Sequence, residues 1–134
     1  MISANINRDL RKKVYRRDGW RCALCDDNRG IQTHHVVLRS QGGADVEQNL
    51  ITLCWKCHAV AHGTRLPEYP DYMDTAELCQ ACVEYLADYY ADEGVLWNPW
   101  STELIPLERD LPAAVEMEAE RIGRRVQRYM DGMR

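Results

Sequence analysis

Two C-x-x-C pairs, Cys22/Cys25 and Cys54/Cys57, stand 28 residues apart. No other feature restricts the possible folds of this chain as tightly. Two such pairs converge on one ion when each sits in a tight turn, and zinc is the usual occupant of a four-thiolate site. In a reducing cytosol the pattern favours metal over disulfides. The ion would clamp the first turn to the start of a following helix, closing the loop between them. Four thiolates leave no open coordination position, so this zinc is read as structural. Cys79 and Cys82 form a third pair inside a predicted helix and are read as core thiols.

The histidines gather around the same loop. His34, His35, His58 and His62 are the only four in the chain and occupy a 29-residue window. Residues 31–37 are β-rich and predict a strand, in which neighbouring side chains face opposite sides. His34 and His35 therefore cannot both address one ion from a regular strand. Either the strand ends there, or the two residues hold different roles. Residues 39–48 form a polar loop with Gly42-Gly43, and residues 50–53 a short apolar run. Residues 55–62 predict a helix stopped by Gly63, with His58 and His62 at i, i+4 on one face.

Those residue types match the needs of metal-assisted phosphodiester hydrolysis. His34, His58 and His62 can offer nitrogens to one cation. His35, facing away from His34, suits a general base because imidazole titrates near pH ~6.5. Asn49 can hold the loop or strand that carries His35, or polarise its ring.

Around this centre, Ile6, Leu10 and Val14 mark a basic helix over residues 5–17, capped by Asn5 or Asn7 and ended by Asp18-Gly19. Its Arg11, Lys12, Arg16 and Arg17 are candidate phosphate contacts, as is Arg39 in the polar loop. Residues 64–74 read as a linker. Asp74 and Glu77 resemble a capping box for a helix from Thr75 to about Glu93, with Leu78, Cys82, Leu86 and Tyr89 on one stripe. Residues 95–106 read as irregular. A last helix follows, with Asp110 as cap, Pro112 in its first turn, and Val115, Ala119, Ile122, Val126 and Tyr129 at helical spacing.

Charge divides along the same line. Residues 1–65 carry eleven Lys or Arg against six Asp or Glu; residues 66–134 carry six against fifteen. A basic half that holds the site suits a polyanion. The acidic half would face away from it, pair two copies, bind another protein, or cover the basic half. With no apolar run near the ~20 residues of a membrane span and no signal-peptide core, the expectation is a cytoplasmic protein without membrane contact.

The stretches YRRDGWRCALC (15–25), HHVV (34–37), GG (42–43) and NLITLCWKCH (49–58), together with His62, resemble the HNH endonuclease family, also called His-Me finger or ββα-metal nucleases. The resemblance spans roughly residues 8–63 and follows the four-cysteine, zinc-binding branch. It implies a small α+β fold: a ββα-metal finger with a structural zinc, a basic helix before it and an acidic helical extension after it. On this division residues 1–65 form the nuclease domain and residues 66–134 the extension.

By position, the resemblance implies His35 as general base, Asn49 as the middle residue of the motif, and His34, His58 and His62 as ligands of one catalytic divalent cation. It also implies Cys22, Cys25, Cys54 and Cys57 as ligands of the zinc. The implied reaction is cleavage of DNA, gripped largely by its backbone, to 5′-phosphate and 3′-hydroxyl ends. Many members carry Asp where this chain has His34. An all-imidazole set favours Zn, Ni, Co or Mn over Mg. The alternatives are a zinc-stabilised DNA-binding module without catalysis, and a nuclease subunit of a phage DNA-packaging machine. In the latter case the extension would dock a phage protein; it would otherwise form a homodimer.

Overall fold

The computed structural model describes residues 6–69, 71–107 and 113–132. The expected roles of Asn5, Asp110 and Pro112 lie outside these residues.

Helix α1 spans Arg8–Arg17. Asn7 caps it, its Oδ1 accepting the Asp9 N–H at 2.7 Å. Val14 and Ile6 are buried with Leu50 in a small apolar cluster, and Leu10 packs against it. The helix ends at Asp18, before a turn in which Gly19 and Trp20 both take positive φ.

Strands β1 (Gln32–His35) and β2 (Leu50–Leu53) pair antiparallel, with His34 opposite Ile51 and His35 opposite Leu50. Strand β1 is shorter than the expected 31–37. Beyond His35 the Val36 N–H still reaches the Asn49 carbonyl at 2.9 Å, but the Val37 N–H turns to the Asn49 side chain. Helix α2 (Trp55–Ala61) follows directly, with Cys54 as N-cap; His62 closes it, before Gly63 with φ 91°. The order is ββα, as expected, and the fold is α+β.

Helix α3 (Thr75–Asp92) starts on the expected capping box between Asp74 and Glu77. It buries Leu78, Cys82, Val83, Leu86 and Tyr90 in one cluster with Val36, Val37, Ile51, Leu53 and Val60. Burying a large apolar side chain contributes about 1.5–3 kcal/mol, and domains keep only about 5–15 kcal/mol net. The α3 stripe is therefore a major share of the stability of the ββα unit. Cys82 is in this core and Cys79 is half-buried beside it.

Residues 95–106 correct an expectation. They are not wholly irregular: β3 (Val95–Leu96) and β4 (Ile105–Pro106) pair antiparallel. Two-residue strands are too short to show an alternating pattern in sequence. Their pairing is held from outside, because the Trp97 indole N–H donates to the Gln48 carbonyl and the Asn98 N–H donates to Gln48 Oε1 at 3.1 Å. Helix α4 (Ala113–Gly132) buries Ile122 and packs Val126, Tyr129 and Met130 on the main cluster. Tyr129 Oη–H donates to the Val36 carbonyl at 2.7 Å, and Arg125 lies 4.0 Å from the Trp100 ring centroid.

Arg17 is the second correction. Expected on DNA, its side chain is only 3% exposed. Its guanidinium forks onto Asp18 at 2.8 and 3.0 Å and donates to the Glu47 and Leu50 carbonyls and to Tyr90. Asp18 in turn accepts the Thr52 N–H and the Tyr85 hydroxyl, each at 2.9 Å. The pair ties α1 to β2 and α3, leaving Arg17 no free face for a phosphate. Among the described residues no helix is long and apolar enough to cross a membrane.

Candidate active site

The first C-x-x-C sits in a knuckle. The Cys22 N–H donates to the Asp27 carbonyl at 2.8 Å, and the Asp26 N–H returns to the Cys22 carbonyl at 3.0 Å. Asp26 takes φ 66°, which an Asp tolerates better than most residues. The second pair opens α2, where Cys54 Sγ accepts the Cys57 N–H at 3.4 Å. All four sulfurs lie within 4.8 Å of one another. Thiolates at about 2.3 Å from one zinc, arranged tetrahedrally, stand about 3.8 Å apart. Cys25 Sγ lies 3.6 Å from Cys54 Sγ and 3.8 Å from Cys57 Sγ, so the cluster is arranged to hold one such metal ion.

The protonation pattern within the cluster is uneven. The hydrogen bond from Cys57 pulls Cys22 down to about 5. Sharing that bond with Cys22 raises Cys57, and burial pushes Cys25 up to about 11. Only Cys22 is driven toward the thiolate; a bound cation would displace the protons held by Cys25 and Cys57, as metal binding to thiols does. The Tyr72 hydroxyl also meets Cys57 Sγ, a neighbour that no sequence pattern announced.

His34, His58 and His62 form a second cluster, their ligand atoms again within 4.8 Å of one another. His58 Nε2 lies 3.0 Å from His62 Nε2, and His34 meets both rings edge-on at centroid distances of 5.2 and 5.1 Å. Strand β1 turns His34 toward the face of α2 that carries the i, i+4 pair. Burial first, then repulsion from His58 and His62, lowers His34 to about 3. Burial likewise lowers His58 to about 4, and His62 shifts in the same direction. Neutral imidazole is the form that binds a metal, so the three nitrogens are ready to ligate at neutral pH.

His35 takes the second of the two alternatives the sequence left open. It stays in β1 and is buried, as His34 is, but it keeps different company: its Nε2 lies 2.7 Å from Asp45 Oδ1. Arg39 grips the same carboxylate through Nε at 2.9 Å and Nη2 at 2.8 Å. Asn49 is fully buried under the loop. Its Nδ2 donates to the Val37 and Ala44 carbonyls at 2.9 and 3.0 Å, and its Oδ1 accepts the Val37 N–H at 2.8 Å. Of the two roles open to Asn49, these bonds match the holding of the loop. Gly43 closes it: a Cβ there would fall 1.7 Å from the Val37 carbonyl oxygen.

Lys12 and Arg16 are exposed on α1, Arg11 is half-buried, and Arg39 faces the loop carboxylate. Sequence reasoning missed Asp45. Its only signal was a place in a polar loop beside the glycine pair, ten residues after His35.

A family model described as HNH endonuclease matches residues 22–63. The chain is similar to Anaredoxin of Nostoc sp. (strain PCC 7120 / SAG 25.82 / UTEX 2576), with 33% identity over 57 residues, 42% of this chain and 75% of that protein. It is also similar to the Type IV methyl-directed restriction enzyme EcoKMcrA of Escherichia coli (strain K12), with 44% identity over 39 residues. That match covers 29% of this chain and 14% of the enzyme. No solved structure matches significantly.

Proposed function

The chain belongs to the HNH endonuclease family, and on that premise we propose that it is a metal-dependent DNA endonuclease with His35 as general base. The observation that carries this reading is the pairing of a three-imidazole cluster, His34, His58 and His62, with a fourth imidazole one residue along the same strand. His34, His58 and His62 would hold the catalytic cation. The cation, when bound, supplies positive charge against the phosphoryl oxygens and the departing 3′ oxygen.

His35 accepts a proton from the attacking water as its oxygen bonds to phosphorus. The P–O3′ bond breaks, and the leaving oxygen is protonated from solvent. The ends are a 5′-phosphate and a 3′-hydroxyl. Asn49 holds the loop against which His35 is set. The cysteine cluster takes zinc and stays out of the chemistry. The absence of a carboxylate among the three ligands suits Zn, Ni, Co or Mn better than Mg.

DNA is the partner, gripped through its backbone by Lys12, Arg16 and neighbouring basic groups of the N-terminal half. Such contacts position a duplex without reading it, so nicking has weak sequence preference and falls steeply with salt. Supercoiled plasmid incubated with the protein and Mn or Ni should be nicked, with mapped ends of the stated polarity. His35→Ala should abolish nicking while the thermal unfolding transition stays in place. A variant that nicks like the wild type removes His35 from the base role. No nicking by the wild type with any of these metals favours the non-catalytic zinc module.

A further inference from the structure

The hydrolysis above leaves one charged group beside the base without a task. Asp45 is 42% exposed, yet its Oδ1 meets Nε2 of an imidazole that is only 9% exposed. It is itself held, since Arg39 forks onto both carboxylate oxygens. The backbone beneath is fixed too. Asn49 bonds the Ala44 carbonyl next door, and Gly43 packs against Val37 with no space for a side chain.

We propose that Asp45 is the positioning residue for His35, holding one tautomer and one ring orientation, with Arg39 holding Asp45. The inference rests on the reading of His35 as base. Arg39 first, and His35 after it, hold the Asp45 carboxyl below its usual range, so it is ionised and can only accept. The bond at 2.7 Å therefore takes its hydrogen from His35 Nε2. A neutral imidazole protonated at Nε2 presents its lone pair at Nδ1, the atom left to receive the water proton. Ring rotation would break this bond and move that lone pair. Asn49 makes no bond to His35 among those described; it acts on the base through the loop that carries Asp45.

The test uses the zinc-loaded 134-residue chain for spectroscopy and the Mn-supplemented chain for single-turnover nicking at saturating plasmid. Asp45→Ala should slow nicking about 10- to 100-fold, by analogy with the loss of the carboxylate that orients a metal-bound histidine. Metal content and plasmid affinity should not change. Asp45→Asn keeps an acceptor oxygen and should recover part of the rate. Long-range ¹H–¹⁵N correlation should show His35 protonated at Nε2 in the wild type and a mixture of tautomers in Asp45→Ala. A merely structural aspartate would not move that signature.

Should Asp45→Ala lose its unfolding transition, Asp45→Asn and Arg39→Ala decide by the same two readouts. Wild-type rate together with an unchanged tautomer in the folded variants overturns the inference. If His35→Ala is inactive in that case, the base assignment survives. If His35→Ala nicks normally, the base assignment fails first.

Discussion

Arg17 sits one position from Arg16 on a basic helix, yet the two lead different lives. Arg16 is exposed; Arg17 is buried against Asp18, which also accepts from Thr52 and Tyr85. Removing one partner of a buried pair leaves an uncompensated charge, typically costing about 3–5 kcal/mol. Arg17→Ala should lose that much stability in urea unfolding, whereas Arg16→Ala should stay within about 0.5 kcal/mol of the wild type. Equal stability for both would return Arg17 to the surface. Gly43 is as constrained, for a different reason. A methyl there overlaps the Val37 carbonyl and crowds the Asn49 amide. Gly43→Ala should cost about 1–3 kcal/mol, as overpacking does, and slow nicking as well, because the displaced loop carries Asp45.

The hairpin and α2 divide their labour by end. The start of α2 joins the cysteine cluster, while its middle and C-cap, His58 and His62, face β1. The two candidate metal sites should therefore separate in elemental analysis. Cys54→Ser removes a ligand and alters the helix cap, and should lose zinc together with the cooperative unfolding transition. A His58→Ala/His62→Ala double variant should lose only the second metal and remain folded. Loss of both metals in the histidine variant would mean that the sites are not independent. Helix α1 carries its own test. Lys12→Ala and Arg16→Ala should each reduce the slope of log affinity against log salt by about one, with binding weakened alike on all plasmids.

At the scale of the molecule, the acidic extension completes the core of the basic finger. The α3 stripe and Trp97 share one apolar cluster with Val36, Ile51 and Leu53, and Tyr129 of α4 bonds the strand end at Val36. A chain ending at residue 65 should show no cooperative unfolding even with zinc. Cooperative melting of that fragment would make the finger self-sufficient. Trp97→Ala should cost about 3–5 kcal/mol, since it removes a buried ring and leaves the Gln48 carbonyl without its indole donor. Gln48 adjoins Asn49, so nicking should fall along with stability.

Spacing makes much of this legible in the sequence alone. Two C-x-x-C pairs admit few arrangements, and an i, i+4 histidine pair before a glycine specifies a helix face; each signal is a short spacing between near neighbours. The capping box of α3 and the strand alternation that separates His34 from His35 are local in the same sense. What required the tertiary structure lies between distant residues. Asp45 reaches His35 only because Asn49 and Gly43 fold the loop back. Arg17 turns inward only because Asp18, Glu47, Leu50 and Tyr90 surround it. The β3–β4 pair is anchored to the rest of the fold where Gln48 bonds Trp97 and Asn98. Local periodicity reports the faces an element presents, whereas partners brought together by chain reversal leave a trace in the order of residues only where, as with the cysteines, a paired motif marks both ends.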